Sequence, residues 1–153
     1  MNGHERDVVN SFVGGVVAKR YAQARPGLHH HVVALLAERL PRPDRVIDVG
    51  CGTGLSTEPV TSFARVVVGV DVSEEMLRAR VRGGRAHYVG ARAEQLPFRE
   101  GTFELATIAS AVHWFGPEAV GEIGRVLKPS AWLVVYDVRF RAEMLGLGLL
   151  LCG

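Results

Sequence analysis

Cysteine is scarce in this chain: Cys51 and Cys152 are the only two in 153 residues, too few for a disulfide framework. A reducing cytosol is the simpler setting for such thiols, so a cytoplasmic protein is expected. Lysine is equally scarce, with Lys19 and Lys128 alone, and arginine carries the remaining positive charge. The net charge of +2 is too small to call for nucleic acid or an anionic membrane. The apolar, uncharged run at residues 144–153 is too short to span a bilayer. The opening "MNGHERDVVN" lacks the charged-then-apolar order of a signal peptide. No repeat and no low-complexity tract interrupts the chain. What remains is ordinary globular composition, 48% hydrophobic and 22% charged, at a length that suits one domain with one core.

Residues 8–21 read as a helix with Val8, Val9, Phe12, Val16 and Val17 as its apolar stripe. "ARPG" at 24–27 breaks it, and "HHVVALLAERL" at 30–40 reads as a second helix stopped by Pro41 and Pro43. From residue 45 the rhythm changes. Apolar, largely β-branched runs at 45–49, 65–72, 85–90, 103–111 and 131–138 predict five strands. Helices are expected between them at 55–64, with Pro59 in the first turn, at 73–81 behind the N-cap Ser73, and at 117–127. Alternating strands and helices argue for an α/β fold with a parallel sheet, because parallel neighbours need long crossovers. Strands apolar on both faces fit a sheet sandwiched between helix layers. The chain divides into a helical segment (1–44), a sheet core (45–138) and an atypical apolar tail (139–153) of one domain.

The loop after the first strand, "DVGCGTG" at 48–54, carries the chemistry. Gly50, Gly52 and Gly54 let the backbone turn sharply and a ligand approach closely. In open α/β sheets ligands bind beyond the C-terminal strand ends, where this loop falls. A dinucleotide loop needs G-x-G-x-x-G, and the place of its third glycine is taken by Leu55. A carboxylate before the glycines, Asp48, suits an ammonium group better than a pyrophosphate. Asp71, ending the second strand, suits a ribose diol, which both ligand classes carry. The competing reading, Asp71 as a mere helix cap, is weakened because Ser73 already fills that role.

With these residues in view, the chain resembles the class I S-adenosyl-L-methionine-dependent methyltransferases. "VIDVGCGTG" (46–54), "VVGVDVSEEML" (67–77), "GARAEQLPF" (90–98), "FELATIASAVHWF" (103–115) and "EIGRVLKPSAWLVV" (122–135) carry the resemblance, which spans roughly residues 15–137. "YAQARPG", "AVHWF" and "RVLKPSAWL" look most like a small-molecule branch that includes trans-aconitate-type methyltransferases. The resemblance implies a Rossmann-like three-layer sandwich and S-adenosyl-L-methionine as cofactor. It implies that Asp48 and the backbone of Gly50 and Gly52 hold the methionine part, with Gly54 in the same cofactor set, and Asp71 the ribose. Val72 and Met76 would cover the adenine, with Ala93 and Glu94 along its edge. Many relatives carry an acid before the Ala-Glu pair, where this chain has Arg92. Tyr21 and Arg25 resemble contacts to the cofactor carboxylate, and Ser110 joins the cofactor set after the fourth strand.

Methyl transfer needs two reactants held in line and shielded from water, with no metal. Trp114 is a candidate to face the cationic sulfur, and His113 to accept a proton or orient a carboxylate. Trp114 as a core wall and His113 as a bystander stay open as the bland alternative. Cys51 reads as a small apolar filler of the loop. "HHH" at 29–31 is not a metal set, since adjacent helical residues point apart. Arg78, Arg80, Arg82 and Arg85 read as a solvated face with no stacking aromatics for nucleic acid.

The chain departs from the family after its fifth strand. Relatives add a helix and an antiparallel strand pair; here only "RFRAEMLGLGLLLCG" follows, with the composition of a frameshifted or truncated product. A five-strand sheet of order 3-2-1-4-5 is expected, lacking that final pair. Strand 5 then lies at an edge, to be covered by the tail or by a second copy in a homodimer. The expected function is methyl transfer to a small-molecule acceptor. The alternatives are a silent cofactor-binding module and, disfavoured by Leu55, an NAD-dependent oxidoreductase.

Overall fold

Five runs of apolar and β-branched residues lie side by side in the computed structural model, which describes residues 26–137, 141–145 and 148–152. They are β1 (Arg45–Val49), β2 (Val66–Asp71), β3 (His87–Gly90), β4 (Phe103–Ala109) and β5 (Leu127–Tyr136). Every pairing is parallel and the order is β3-β2-β1-β4-β5, as the alternation of elements requires. In the central strand Asp48 stands opposite Gly69 of β2 on one side and Thr107 of β4 on the other. The expected helix at 8–21, with Tyr21 and Arg25, lies outside the described residues.

Successive strand residues face opposite ways, and both faces are buried. Ile47, Val68, Ala106 and Ile108 face Ile123 and Val126 of α4 (Ala119–Val126). Val46, Val67 and Leu105 face Val33, Val60 and Phe63 on the other side. The helices are α1 (Pro26–Arg39), α2 (Thr57–Val60), α3 (Glu74–Arg78) and α4, and a 3₁₀ turn spans Val112–Trp114. Ser73 caps α3 as expected, its hydroxyl accepting from the Met76 N–H at 3.2 Å.

Several elements differ in extent from the sequence expectation. Helix α1 starts at Pro26, where a missing N–H costs nothing and the fixed φ suits a first turn. The helix expected over 55–64 contracts to α2. The Thr61, Ser62 and Phe63 amides each donate three residues back, to Glu58, Pro59 and Val60, so the chain tightens into turns. Strand β5 begins at Leu127, which pairs with Phe103; Trp132 pairs with Leu105, and the segment between loops out with Ser130 left-handed at φ 63°. The parallel sheet ends at β5. The tail forms a separate antiparallel pair, β6 (Arg141–Leu145) with β7 (Gly148–Cys152). Among the described residues no helix is long and apolar enough to cross a membrane.

Candidate functional site

The loop leaving β1 folds back over the end of β2, where the Gly50 and Cys51 amides both donate to the Val70 carbonyl, at 2.8 and 3.0 Å. Gly50 has φ +76°, and a Cβ there would come within 2.5 Å of the Ala111 Cβ. Only glycine meets both conditions. The Gly52 N–H donates to Asp71 Oδ2 at 2.7 Å, and the Ser73 N–H to Asp71 Oδ1 at 2.8 Å. Two backbone amides thus set the orientation of the Asp71 carboxylate at the end of β2.

Asp48 is placed differently from its neighbour. It is fully buried, at 0% exposure, and lies beneath the loop rather than in the cavity wall. The hydroxyls of Ser56 and Thr57 both donate to its Oδ2, and that of Thr107 to its Oδ1, each at 2.7 Å. Thr107 reaches it because the β1–β4 register sets the two residues opposite each other. Burial pushes the Asp48 carboxyl above its usual range, and the three hydroxyls oppose that shift. A direct grip by Asp48 on an ammonium group does not match this placement: its oxygens are already engaged with these hydroxyls.

Beyond the strand ends lies a cavity of about 520 Å³, within the usual range for a small-molecule site. Gly50, Gly52 and Asp71 line its floor, and Val72 and Met76 flank it. Ala93 and Glu94 join the lining from the chain after β3, and Ser110, His113 and Trp114 come from the chain after β4. The structure therefore brings these expected residues together, whereas Gly54 faces away from the cavity and packs against Tyr88. Ser110 holds φ +54°, an uncommon conformation for a residue with a side chain, and its N–H donates to the Tyr136 carbonyl at 2.9 Å.

The Glu94 carboxylate accepts the Gly116 N–H at 2.7 Å and pairs with Arg92 at 3.3 Å. The Gly116 amide, above all, holds its carboxyl below the ordinary value. His113 and Trp114 are exposed at the rim, with ring centroids 4.8 Å apart. Cys51 is a buried free thiol whose pKa is pushed up, first by burial and then by Asp48, so it is not poised as a nucleophile.

Sequence reasoning missed His29 and Thr53. His29 is buried at 5% exposure, lines the cavity, and shares a hydrogen bond of 2.9 Å between its Nδ1 and the Tyr136 hydroxyl. No local signal announces a contact between residues 29 and 136. Thr53 lines the cavity too, and its buried hydroxyl has no hydrogen-bond partner among the described residues. Among those residues no group of three or more His, Cys, Asp or Glu gathers as a metal site.

A family model described as a methyltransferase domain matches residues 47–135, more than half of the chain. The chain is similar to the demethylmenaquinone methyltransferase of Corynebacterium kroppenstedtii, 40% identical over 100 residues that make up 63% of this chain and 43% of that protein. Among solved structures it is similar to the YcgJ protein of Bacillus subtilis, with a TM-score of 0.64 and 28% identity over 71% of this chain and 51% of that one. It is also similar to the 4+2 cyclase SpnF, with a TM-score of 0.57 and 30% identity over 69% of this chain and 44% of that one. The chain spans about half the length of the curated relatives it matches. Its strand order, its glycine loop and the family match agree, and the chain belongs to the methyltransferase-domain family of class I enzymes that use S-adenosyl-L-methionine.

Proposed function

We propose that this chain transfers a methyl group from S-adenosyl-L-methionine to a small-molecule acceptor with an oxygen nucleophile. One observation carries the reading: a cavity at the strand ends joins an oriented Asp71 carboxylate to a loop whose glycine at 52 leaves room for a ligand. The cofactor fits the residues present. Gly52 holds φ +53°, a conformation side chains rarely adopt, and a Cβ there would approach the Met76 Cε to 3.0 Å, so glycine keeps the cradle open. The unpartnered Thr53 hydroxyl is a polar group that a polar ligand would satisfy.

In this reading Asp71 takes the ribose hydroxyls, since its remaining lone pairs are available while two amides hold its orientation. The backbone of Gly50 and Gly52 runs along the methionine part, and Asp48 serves it indirectly by fixing the loop. Val72, Met76 and Ala93 supply apolar cover for the adenine, with Glu94 and the backbone beside it at the edge. Tyr21 and Arg25 take the carboxylate. Bound S-adenosyl-L-methionine supplies an electrophilic methyl group on a sulfonium. The chain aligns the acceptor and excludes water. Trp114 presents a ring to the cation, and His113 takes the acceptor's proton.

A methyl-transfer screen with radiolabelled cofactor over small acids, alcohols and amines tests the activity. Incorporation into one class supports the reading. Binding of the cofactor without transfer to any class favours a silent binding module instead. The reading places the chain in the cytoplasm, where the free Cys51 thiol stays reduced. It pairs two copies along β5, an edge strand that exposes Trp132, Leu133 and Val135. A monomer in sedimentation velocity removes the pairing alone.

A further inference from the structure

The glycine loop has a back as well as a front, and the back is built from polar residues outside the cofactor cavity. The Tyr88 ring from β3 lies under the loop. A Cβ on Gly54 would overlap the Tyr88 hydroxyl, and a Cβ on Gly69 of β2 would press to 3.0 Å against the same ring. The Tyr88 hydroxyl donates to Glu58 Oε1 at 2.7 Å, while Glu58 Oε2 accepts the Arg85 N–H at 2.9 Å. Glu58 sits in α2, directly after the loop, and its own N–H donates to the Gly54 carbonyl at 2.9 Å. The Thr53 carbonyl accepts the Val81 N–H at 3.0 Å.

These bonds tie the rear of the 52–54 turn to β3 and to the segment before it. The front of the same turn carries the Gly52 amide that orients Asp71. Neither Tyr88 nor Glu58 lines the cofactor cavity; both line a second one, with Arg78, Arg80 and Arg82. A half-buried carboxylate and phenol are costly to desolvate where apolar side chains would pack as well, and hydrogen bonds fix position in a way that apolar packing does not. Burial and, next, the Glu58 carboxylate push the Tyr88 pKa up, so the phenol stays a donor.

We infer that Tyr88 and Glu58 are positioning residues for the cofactor, which set the 52–54 turn from behind and through it the Gly52–Asp71 contact. The inference rests on the cofactor reading above. Calorimetry with S-adenosyl-L-methionine on the full chain tests both separately. Tyr88→Phe, which keeps the ring, is expected to weaken binding about five- to tenfold, the effect of one lost hydrogen bond, and Glu58→Ala, which also loses the Arg85 N–H contact, at least as much. The double variant should be no weaker than Glu58→Ala alone, and Glu58→Gln, which keeps an acceptor, should restore most of the affinity. Hydrogen exchange at the Gly52 amide should quicken in Tyr88→Phe, a local change that a general loss of stability would not confine to the turn. Unchanged affinity in folded Tyr88→Phe, or additive effects in the double variant, overturns the inference while leaving the cofactor reading intact. No binding by the unaltered chain overturns the cofactor reading and this inference with it.

Discussion

Asp48, next to last in β1, and Asp71, last in β2, stand on neighbouring strands of one sheet, yet their surroundings give them different tasks. Asp48 accepts three hydroxyl hydrogen bonds in a site closed to water. Asp48→Ala leaves those hydroxyls without their acceptor, and the expected cost is about 3 kcal/mol or more of folding stability. Urea denaturation measures it, and a loss under about 1 kcal/mol removes Asp48 from its role as the anchor of the loop. Asp71 is half-buried and faces the cavity, so its replacement should act on the ligand instead. Asp71→Ala is expected to weaken S-adenosyl-L-methionine binding by about 1.5–3 kcal/mol, the range for hydrogen bonds to a charged group. Calorimetry reads it directly, and unaltered affinity takes Asp71 out of the site. The two carboxylates were visible in the sequence, but their division of labour was not. Thr107 lies 59 positions from Asp48 in the chain, and only the strand register brings its hydroxyl within reach.

Helix α4 shows how one element is fastened to the sheet. Its apolar face buries Ile123 and Val126, and its polar side carries Glu122 and Arg125. Glu122 Oε1 accepts the Leu96 N–H at 2.7 Å, and Arg125 donates to the carbonyls of Phe98 and Leu96 at 2.9 and 3.1 Å. The clamp fixes the segment that follows Ala93 and Glu94 in the cavity wall. Arg125, and next the Leu96 amide, lower the Glu122 pKa from 4.5 to about 2. A lowered carboxylate pKa stabilises the fold fully above the unfolded value and loses that contribution as pH falls through the folded one. Stability should therefore decline between about pH 4.5 and 2. Glu122→Gln should cost about 1.5–3 kcal/mol at neutral pH and flatten that decline, as followed by denaturation at a series of pH values. An unchanged acid profile in Glu122→Gln would assign the decline to other groups. Elements with a strong local signal were legible: β1 is the run at 45–49, because burial on both faces from Val46 to Val49 leaves no polar residue there but Asp48. The bounds of α2 and β5 were not. Pro59 and the three-residue-back bonds shorten α2, and pairing with Phe103 draws Leu127 into β5. His29 was read only as part of a histidine run, because its partner Tyr136 is 107 positions away.

At the scale of the molecule, the cavity stands where the chain changes direction around β1, with β2 and β3 on one side and β4 and β5 on the other. Its walls come from both sides: Asp71, Val72 and Ala93 follow β2 and β3, whereas Ser110, His113 and Trp114 follow β4. A ligand reaching from Asp71 to Trp114 therefore bridges the two halves of the sheet, and its binding is linked to folding of the whole. A ligand bound only by the folded chain adds about 2.7 kcal/mol at a hundred times its Kd. For a chain of 153 residues that corresponds to a rise in Tm of about 5–10 °C. S-adenosyl-L-methionine and its demethylated product should both give it, since both share the adenosine that Asp71 and Val72 would hold. NAD at equal concentration should give little. Its pyrophosphate lacks the open third-glycine position, which Leu55 fills, and a helix N-terminus, since α2 has only four residues to offer. A calorimetric scan with the three compounds separates the outcomes. A larger shift with NAD would transfer the cavity to a dinucleotide, and no shift with any of the three would detach the glycine loop from nucleoside binding altogether.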